Sequence, residues 1–88
     1  MVTGEQLLRF PCDYPLKVVG RSTSVLRAEI DAIVRRHVPQ LVDEQVSVRN
    51  SGHANYVSIT YRIVAESREH ITALVIELRN APHVIMVI

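Results

Sequence analysis

Cys12 is the chain's single cysteine and stands beside Asp13 in the stretch FPCDYPLKVVG, residues 10–20. A catalytic cysteine must be ionised, which requires a base or a positive charge next to it. Asp13 is negative and disfavours the thiolate, and the chain has no Cys-x-x-Cys motif. We therefore expect Cys12 to be a structural residue at the beginning of a strand.

The histidines are the next residues that could do chemistry. They are His37, His53, His70 and His83. A zinc site usually takes two ligands from one element at short spacing, often with a pair of cysteines. Neither pattern occurs, and no glycine-rich phosphate loop is present. The sequence therefore predicts no metal and no cofactor.

Arg21 and Ser22 precede a predicted helix and could bind a small anion at its first turn. With Asn50 or Asn55, they supply the residue types of an acylphosphatase-like hydrolase. The segment GRSTS has one glycine, however, whereas such enzymes cradle phosphate in a glycine-rich loop. We expect a protein that is not an enzyme, with the acyl phosphate hydrolase as an alternative.

Four strands and two helices follow from the hydrophobic spacing. Tyr14, Leu16 and Val18 alternate in a first strand that Gly20 ends. EQVSVRN and YVSITYRIVA predict a strand pair around the turn SGHAN, and HVIMVI predicts a last strand. The apolar stripes of the helices comprise Leu26, Ile30, Ile33 and Val34 in the first, and Ile71, Leu74, Val75 and Leu78 in the second.

The order β-α-β-β-α-β predicts an α+β, ferredoxin-like sandwich of a four-stranded antiparallel sheet with both helices on one face. Strands one and three are central in this arrangement. The chain of 88 residues is then a single domain, residues 1–88, in which residues 1–11 form an N-terminal arm.

The sheet face opposite the helices mixes apolar, hydroxyl and cationic residues, a composition typical of an interface between proteins. We expect a partner face at Lys17, Tyr56, Thr60 and Arg62, and we expect Ile85 and Val87 to join it. A single-stranded RNA binder of the same fold is an alternative. It needs exposed aromatic residues on the central strands, and Tyr61 lies on the opposite parity from Tyr56.

The net charge and the first residues of the chain limit the kinds of partner and the location that we expect. The net charge is +1, without the basic excess of a nucleic-acid or membrane-surface binder. The chain start has no basic segment followed by an apolar run, which argues against a signal peptide. We therefore expect a cytoplasmic protein that binds a protein partner or its own copy, with a small-molecule ligand as a further possibility, and neither nucleic acid nor membrane.

Several segments resemble the YbeD family of small bacterial proteins. The segment LLRFPCDYPLKVVG is similar to that family's opening, and IVRRHVP, residues 33–39, is similar to a Val-Val-Arg-Arg-His-Val-Pro segment. SGHANYVSITYRIVA, residues 51–65, and the final HVIMVI also resemble the family's pattern. The resemblance spans nearly the whole chain.

This resemblance implies a ferredoxin-like fold similar in shape to ACT domains, which regulate metabolic enzymes by binding small ligands between subunits. It also implies a regulatory role in lipoate metabolism, and it assigns no catalytic residues. Taken together, we expect a non-enzymatic regulatory or protein-interaction domain. Its working surface would be the partner face, or the loop at Arg21 and Ser22.

Overall fold

The computed structural model describes residues 9–50 and 55–88. The strands are β1, Cys12–Arg21; β2, Val46–Asn50; β3, Tyr56–Ala65; and β4, Val84–Val87. The helices are α1, Leu26–His37, and α2, Arg68–Arg79, and a 3₁₀ turn at Asp43–Gln45 precedes β2. This element order confirms the predicted β-α-β-β-α-β sequence.

The strands form one antiparallel sheet in the order β2-β3-β1-β4. β1 and β3 pair along their whole length, from Cys12 opposite Ala65 to Arg21 opposite Tyr56. The two long strands are central because each βαβ crossover, β1-α1-β2 and β3-α2-β4, passes over one strand and leaves β2 and β4 at the edges. The predicted ferredoxin-like α+β fold is therefore confirmed.

Alternation along the central strands sends every second side chain into the core. Leu16 and Val18 of β1, with Ile59, Tyr61 and Ile63 of β3, are almost completely buried. The opposite parity faces away from the helices. The sheet therefore has one packed face and one face without a helix.

Both helices pack their predicted apolar stripes on the sheet. Leu26, Ile30 and Val34 of α1 and Leu74 and Leu78 of α2 have at most 1% of their surface exposed. Ser67 caps α2 by accepting a hydrogen bond from the backbone N–H of His70 at 3.1 Å. No helix among the described residues has the length and apolar character needed to cross a bilayer.

One prediction about β4 is wrong. Val87 lies opposite Val18 and packs against the core, whereas Met86 lies opposite Val19 on the face without helices. The register shifts between Val19 and Gly20, so β4 carries an extra residue, Ile85, that strict alternation cannot anticipate. Residues 1–8 of the predicted arm, which spans residues 1–11, and the predicted turn with His53 lie outside the described residues.

Candidate functional site

The sheet face opposite the helices is the candidate site, and we call it the open face. β1 and β3 supply most of it, because alternate residues of both strands face away from the core. Its members are Asp13, Pro15, Lys17, Val19 and Arg21 of β1; Ser47 and Arg49 of β2; Tyr56, Ser58, Thr60, Arg62 and Val64 of β3; and Met86 and Ile88 at the chain end.

Cross-strand pairing fixes which of these side chains are neighbours. Val19 lies between Ser58 and Met86, and Ser58 also pairs with Arg49. In the next row, Lys17 lies opposite Thr60. Residues directly opposite on one face have Cβ atoms about 5 Å apart, so each row forms a continuous strip of side chains.

The chain end extends the open face beyond β4. The N–H of Lys17 donates to the carbonyl of Ile88 at 3.1 Å, and the N–H of Ile88 donates to the carbonyl of Lys17 at 2.8 Å. Ile88 is 62% exposed and Met86 is 50% exposed. The open face therefore ends in an apolar margin beside Lys17.

The charges on this surface are unequal. Lys17, Arg21, Arg49 and Arg62 lie on the open face with one carboxylate, Asp13. The other acidic residues of the described chain lie in the helices or connections, at Glu29, Asp31, Asp43, Glu44, Glu66, Glu69 and Glu77. The near-neutral net charge thus conceals a cationic sheet face.

A hollow of about 170 Å³ opens on this face. Its lining comprises Lys17, Val19, Arg49, Asn50, Tyr56, Val57 and Ser58. Small-molecule sites usually occupy roughly 300–1,000 Å³, so this hollow suits one anchoring side chain better than a whole metabolite. Two cations and the exposed Tyr56 ring border it.

The predicted site residues lie on one surface. Lys17, Tyr56, Thr60 and Arg62 all belong to the open face, as expected from alternation. Arg21 lies opposite Tyr56, so its side chain belongs to this face as well. The two predicted groups, the partner face and the anion loop, are therefore contiguous at Arg21.

The backbone of the predicted anion loop is already hydrogen-bonded. The N–H of Arg21 donates to the carbonyl of His83 at 2.8 Å, and the N–H of Ser22 donates to the carbonyl of Asn55 at 3.0 Å. An anion held there would rely on the Arg21 guanidinium and the Ser22 hydroxyl, because these two N–H groups are engaged.

Sequence reasoning missed Arg49 and Met86. Arg49 was predictable, since Val46 and Val48 on one side of β2 place Ser47 and Arg49 on the other. Met86 was not predictable from alternation, because its orientation depends on the irregularity beside Gly20. Both residues make the open face larger than expected.

Two of the histidines tie the helices together. The Nε2 of His37 donates to Glu77 Oε1 at 2.8 Å, and Arg36 also pairs with Glu77. The hydrogen bond from His37 is the main cause that holds the pKa of Glu77 below its ordinary value of 4.5, and Arg36 lowers this pKa further. This cluster joins the end of α1 to α2.

The ring of His70 extends the same connection. Its Nδ1 accepts from the N–H of Glu66 at 3.1 Å, and its Nε2 donates to the carbonyl of His37 at 2.7 Å. These partners fix the neutral tautomer that carries the proton on Nε2. No three metal-ligating residues converge within residues 9–50 and 55–88.

A buried tyrosine links the sheet to α1. Tyr61 is completely buried, and its hydroxyl donates to Asp31 Oδ1, while Arg27 Nε donates to the same carboxylate at 3.0 Å. Burial first, and then the hydrogen bond to Asp31, raise the pKa of Tyr61 well above its ordinary value of 10. Tyr61 is therefore a neutral structural residue, on the opposite face from Tyr56.

Comparison with solved structures identifies the fold. The chain is similar to the ACT domain from the GTP pyrophosphokinase of Chlorobium tepidum, with a TM-score of 0.61 and 15% sequence identity. The match covers 88% of this chain and 97% of that domain. At this identity the likeness establishes the fold, which is the ACT-like shape that the family resemblance implied.

Comparison with curated proteins identifies bacterial relatives. A UPF0250 protein of Nitrosomonas europaea is 33% identical to this chain, and the match covers 99% of this chain and 100% of that protein. A UPF0250 protein of Shewanella oneidensis is 37% identical, covering 86% of this chain and 84% of the relative. These matches confirm the resemblance to the YbeD family. Residues 5–88 match the family model described as a protein of unknown function, DUF493, and the chain belongs to this family.

Proposed function

We propose that the protein is a non-enzymatic regulatory domain of the cytoplasm that acts by binding another protein on its open face. The observation that carries this proposal is the composition of that face. Exposed Tyr56 and Met86 lie among four cations, and no described helix covers them. Aromatic residues, methionine and arginine are the types enriched in protein interfaces.

The size of the described hollow also supports a protein partner. A volume of about 170 Å³ accepts one side chain, which is how a small number of anchoring residues provide most of the affinity in many interfaces. The ACT-like shape is compatible with this proposal, because the solved structure that it matches is the ACT domain from an enzyme, a GTP pyrophosphokinase.

Affinity capture with a charge-reversed variant tests the proposal. The protein is used as bait in extract of the cell that produces it, beside Arg62→Glu and the matched helix variant Arg79→Glu. We expect one protein to be retained by the unmodified chain and by Arg79→Glu, and to be lost with Arg62→Glu. Equal retention by all three baits, or by none, would contradict the proposal.

We further propose that the regulated process is lipoate metabolism, and the support for this is the family resemblance. The amount of lipoylated protein should change in cells that lack the chain. The unmodified gene should restore it, and the Arg62→Glu gene should not. Unchanged lipoylation would remove the lipoate link and leave the binding proposal in place.

Self-association is a second candidate, and the edge strand β4 favours it. β4 is a sheet edge that carries exposed Ile85 and Met86, with no proline or lysine between Val84 and Ile88 to discourage pairing. Sedimentation of the unmodified protein tests this candidate. A dimer that Met86→Lys converts to a monomer would support it, and a monomer at every concentration would exclude it.

A small ligand is a third candidate, favoured by a hollow of about 470 Å³ between α1 and the end of α2. Its lining includes Glu29, Ala32, Ile33, Glu77 and Asn80. This volume lies within the usual range for small-molecule sites. A filling variant, Ala32→Trp, should abolish any ligand-induced rise in melting temperature while Arg62→Glu leaves it unchanged.

The acyl phosphate hydrolase remains an alternative with a direct assay. Turnover of an acyl phosphate by the unmodified protein, abolished by Arg21→Ala, would establish it. We expect no turnover, because the N–H groups of Arg21 and Ser22 are hydrogen-bonded within the fold.

A further inference from the structure

We propose that the segment bound on the open face is acidic and partly apolar, a protein segment that presents carboxylates to Lys17, Arg21 and Arg49 and one apolar side chain to the hollow beside Tyr56. This inference rests on the proposed function. It adds the chemistry of the partner, which the family assignment does not provide.

Charges are separated between the two sides of the molecule. The arginines of the helices are largely matched by carboxylates: Arg27 contacts Asp31 at 3.0 Å, Arg35 contacts Asp43 at 2.9 Å, and Arg36 pairs with Glu77. By contrast, Lys17, Arg21, Arg49 and Arg62 form no ion pair with any residue the structure describes. The cationic excess of the protein is therefore concentrated on one sheet face.

The spacing of these cations suits an extended acidic segment. Lys17 and Arg21 are four residues apart on β1, which corresponds to about 13 Å along the strand. Arg49 lies two strands away from β1, or about 10 Å across the sheet. An extended segment rises about 3.3 Å per residue. Carboxylates at every fourth residue of such a segment therefore match the spacing of about 13 Å between Lys17 and Arg21.

The side chains of the open face favour an acidic protein segment over single-stranded RNA. RNA binding on this fold requires aromatic residues on which bases stack, and Tyr56 is the single exposed aromatic residue on the described strands β1 and β3 of this face. Val19, Met86 and Ile88 supply apolar contacts instead, which suit an aliphatic side chain.

The test is a titration of the labelled protein, followed by amide NMR, with a peptide of three Glu-Ser-Leu-Ser repeats, in which Glu recurs at every fourth residue and Leu lies on the same face of the extended chain. The control peptide replaces each Glu with Gln, and a uridine 12-mer represents RNA. We expect the acidic peptide to shift amides of β1 and β3, with weaker binding at high salt because screening shortens the range of these contacts. The Gln peptide and the RNA should have little effect.

Matched variants localise the binding. Lys17→Glu combined with Arg49→Glu should raise the Kd for the acidic peptide about tenfold or more. The double variant replaces two attractive contacts with two repulsive ones. Arg79→Glu on the helix side is matched by the single change Arg49→Glu; the first should leave binding unchanged and the second should weaken it. Amide spectra of each variant establish that it is folded.

Three results would overturn the inference: no shift with the acidic peptide, equal shifts with the Gln peptide, or stronger binding of the RNA. The first two would leave the proposed function intact if the affinity capture still depends on Arg62. Failure of that capture together with strong RNA binding would remove both proposals. A dimer that buries the open face would assign the face to a second copy.

Discussion

Gly20 in β1 lies directly against the carbonyl oxygen of His83, the residue before β4. A Cβ on Gly20 would stand 2.8 Å from that oxygen and 3.0 Å from the side chain of Leu26. The same carbonyl accepts from the N–H of Arg21 at 2.8 Å. The absence of a side chain at Gly20 therefore allows β4 and α1 to approach β1 at the edge of the open face.

Gly20→Ala should destabilise the protein. The added methyl group must displace a backbone carbonyl as well as Leu26, and overpacking of this kind typically costs about 1–3 kcal/mol. Urea unfolding should show a lower midpoint with an unchanged slope. The control Ser22→Ala adds no atoms and should change the midpoint little. Equal midpoints for Gly20→Ala and the unmodified protein would contradict the close approach at His83.

Tyr61→Phe should also lower the free energy of unfolding, because it removes the hydrogen bond from the buried hydroxyl to Asp31. The expected loss is about 0.5–1.5 kcal/mol, the usual net value of one hydrogen bond. Asp31 keeps its pairing with Arg27 in this variant. Thermal unfolding at neutral pH measures the loss.

The raised pKa of Tyr61 adds an alkaline prediction. The unfolded state ionises Tyr61 near its ordinary value of 10, whereas the folded state keeps it neutral. The stability that Tyr61 contributes is therefore complete below pH 10 and decreases as the pH rises above it. The unmodified protein should lose its advantage over Tyr61→Phe between about pH 10 and 11. A constant difference over this range would argue against the buried hydroxyl.

The lowered pKa of Glu77 predicts the opposite pH dependence. A carboxyl whose folded pKa is depressed contributes stability above its unfolded pKa, and that contribution decreases as the pH falls through the folded value. The difference in stability between the unmodified protein and Glu77→Gln should therefore be largest above pH 4.5 and shrink below it. Urea midpoints measured from about pH 3 to about pH 7, on both sides of the ordinary carboxyl pKa, provide the test.

Glu44→Gln serves as the control in the same pH series. Glu44 is exposed in the 3₁₀ turn before β2. Its substitution should leave the pH dependence of the midpoint close to that of the unmodified protein. A difference between Glu77→Gln and the unmodified protein that does not vary with pH would contradict the pairing of Glu77 with His37.

The fold was predictable because each element carries its own hydrophobic period. Alternation in β3 correctly separated Tyr56 from Tyr61, and the helical stripes named the residues that pack on the sheet. The hydroxyl of Thr23 accepts a hydrogen bond from the N–H of Leu26, the first residue of α1, at 3.1 Å.

The site was predictable only where alternation is regular. Lys17, Tyr56, Thr60 and Arg62 follow from the period of β1 and β3. Val87 was predicted on the open face but faces the core, because the irregularity beside Gly20 shifts the register of β4 by one residue. The concentration of positive charge on the open face was not predictable from the sequence. Among the described residues, the fold places carboxylates beside arginines of the helices and not beside those of the sheet, and the sequence alone does not show this difference.

The open face is the surface on which we propose that a partner protein binds. Site-specific photo-crosslinking in the producing cell tests it most directly, with the reactive group placed at Ser58 or Val64 on the open face, and at Thr72 or Ala73 on the exposed side of α2. A partner bound on the open face should give one crosslinked protein from both open-face positions and none from the α2 positions. Crosslinks to a partner from α2 alone, with none from Ser58 and Val64, would contradict it.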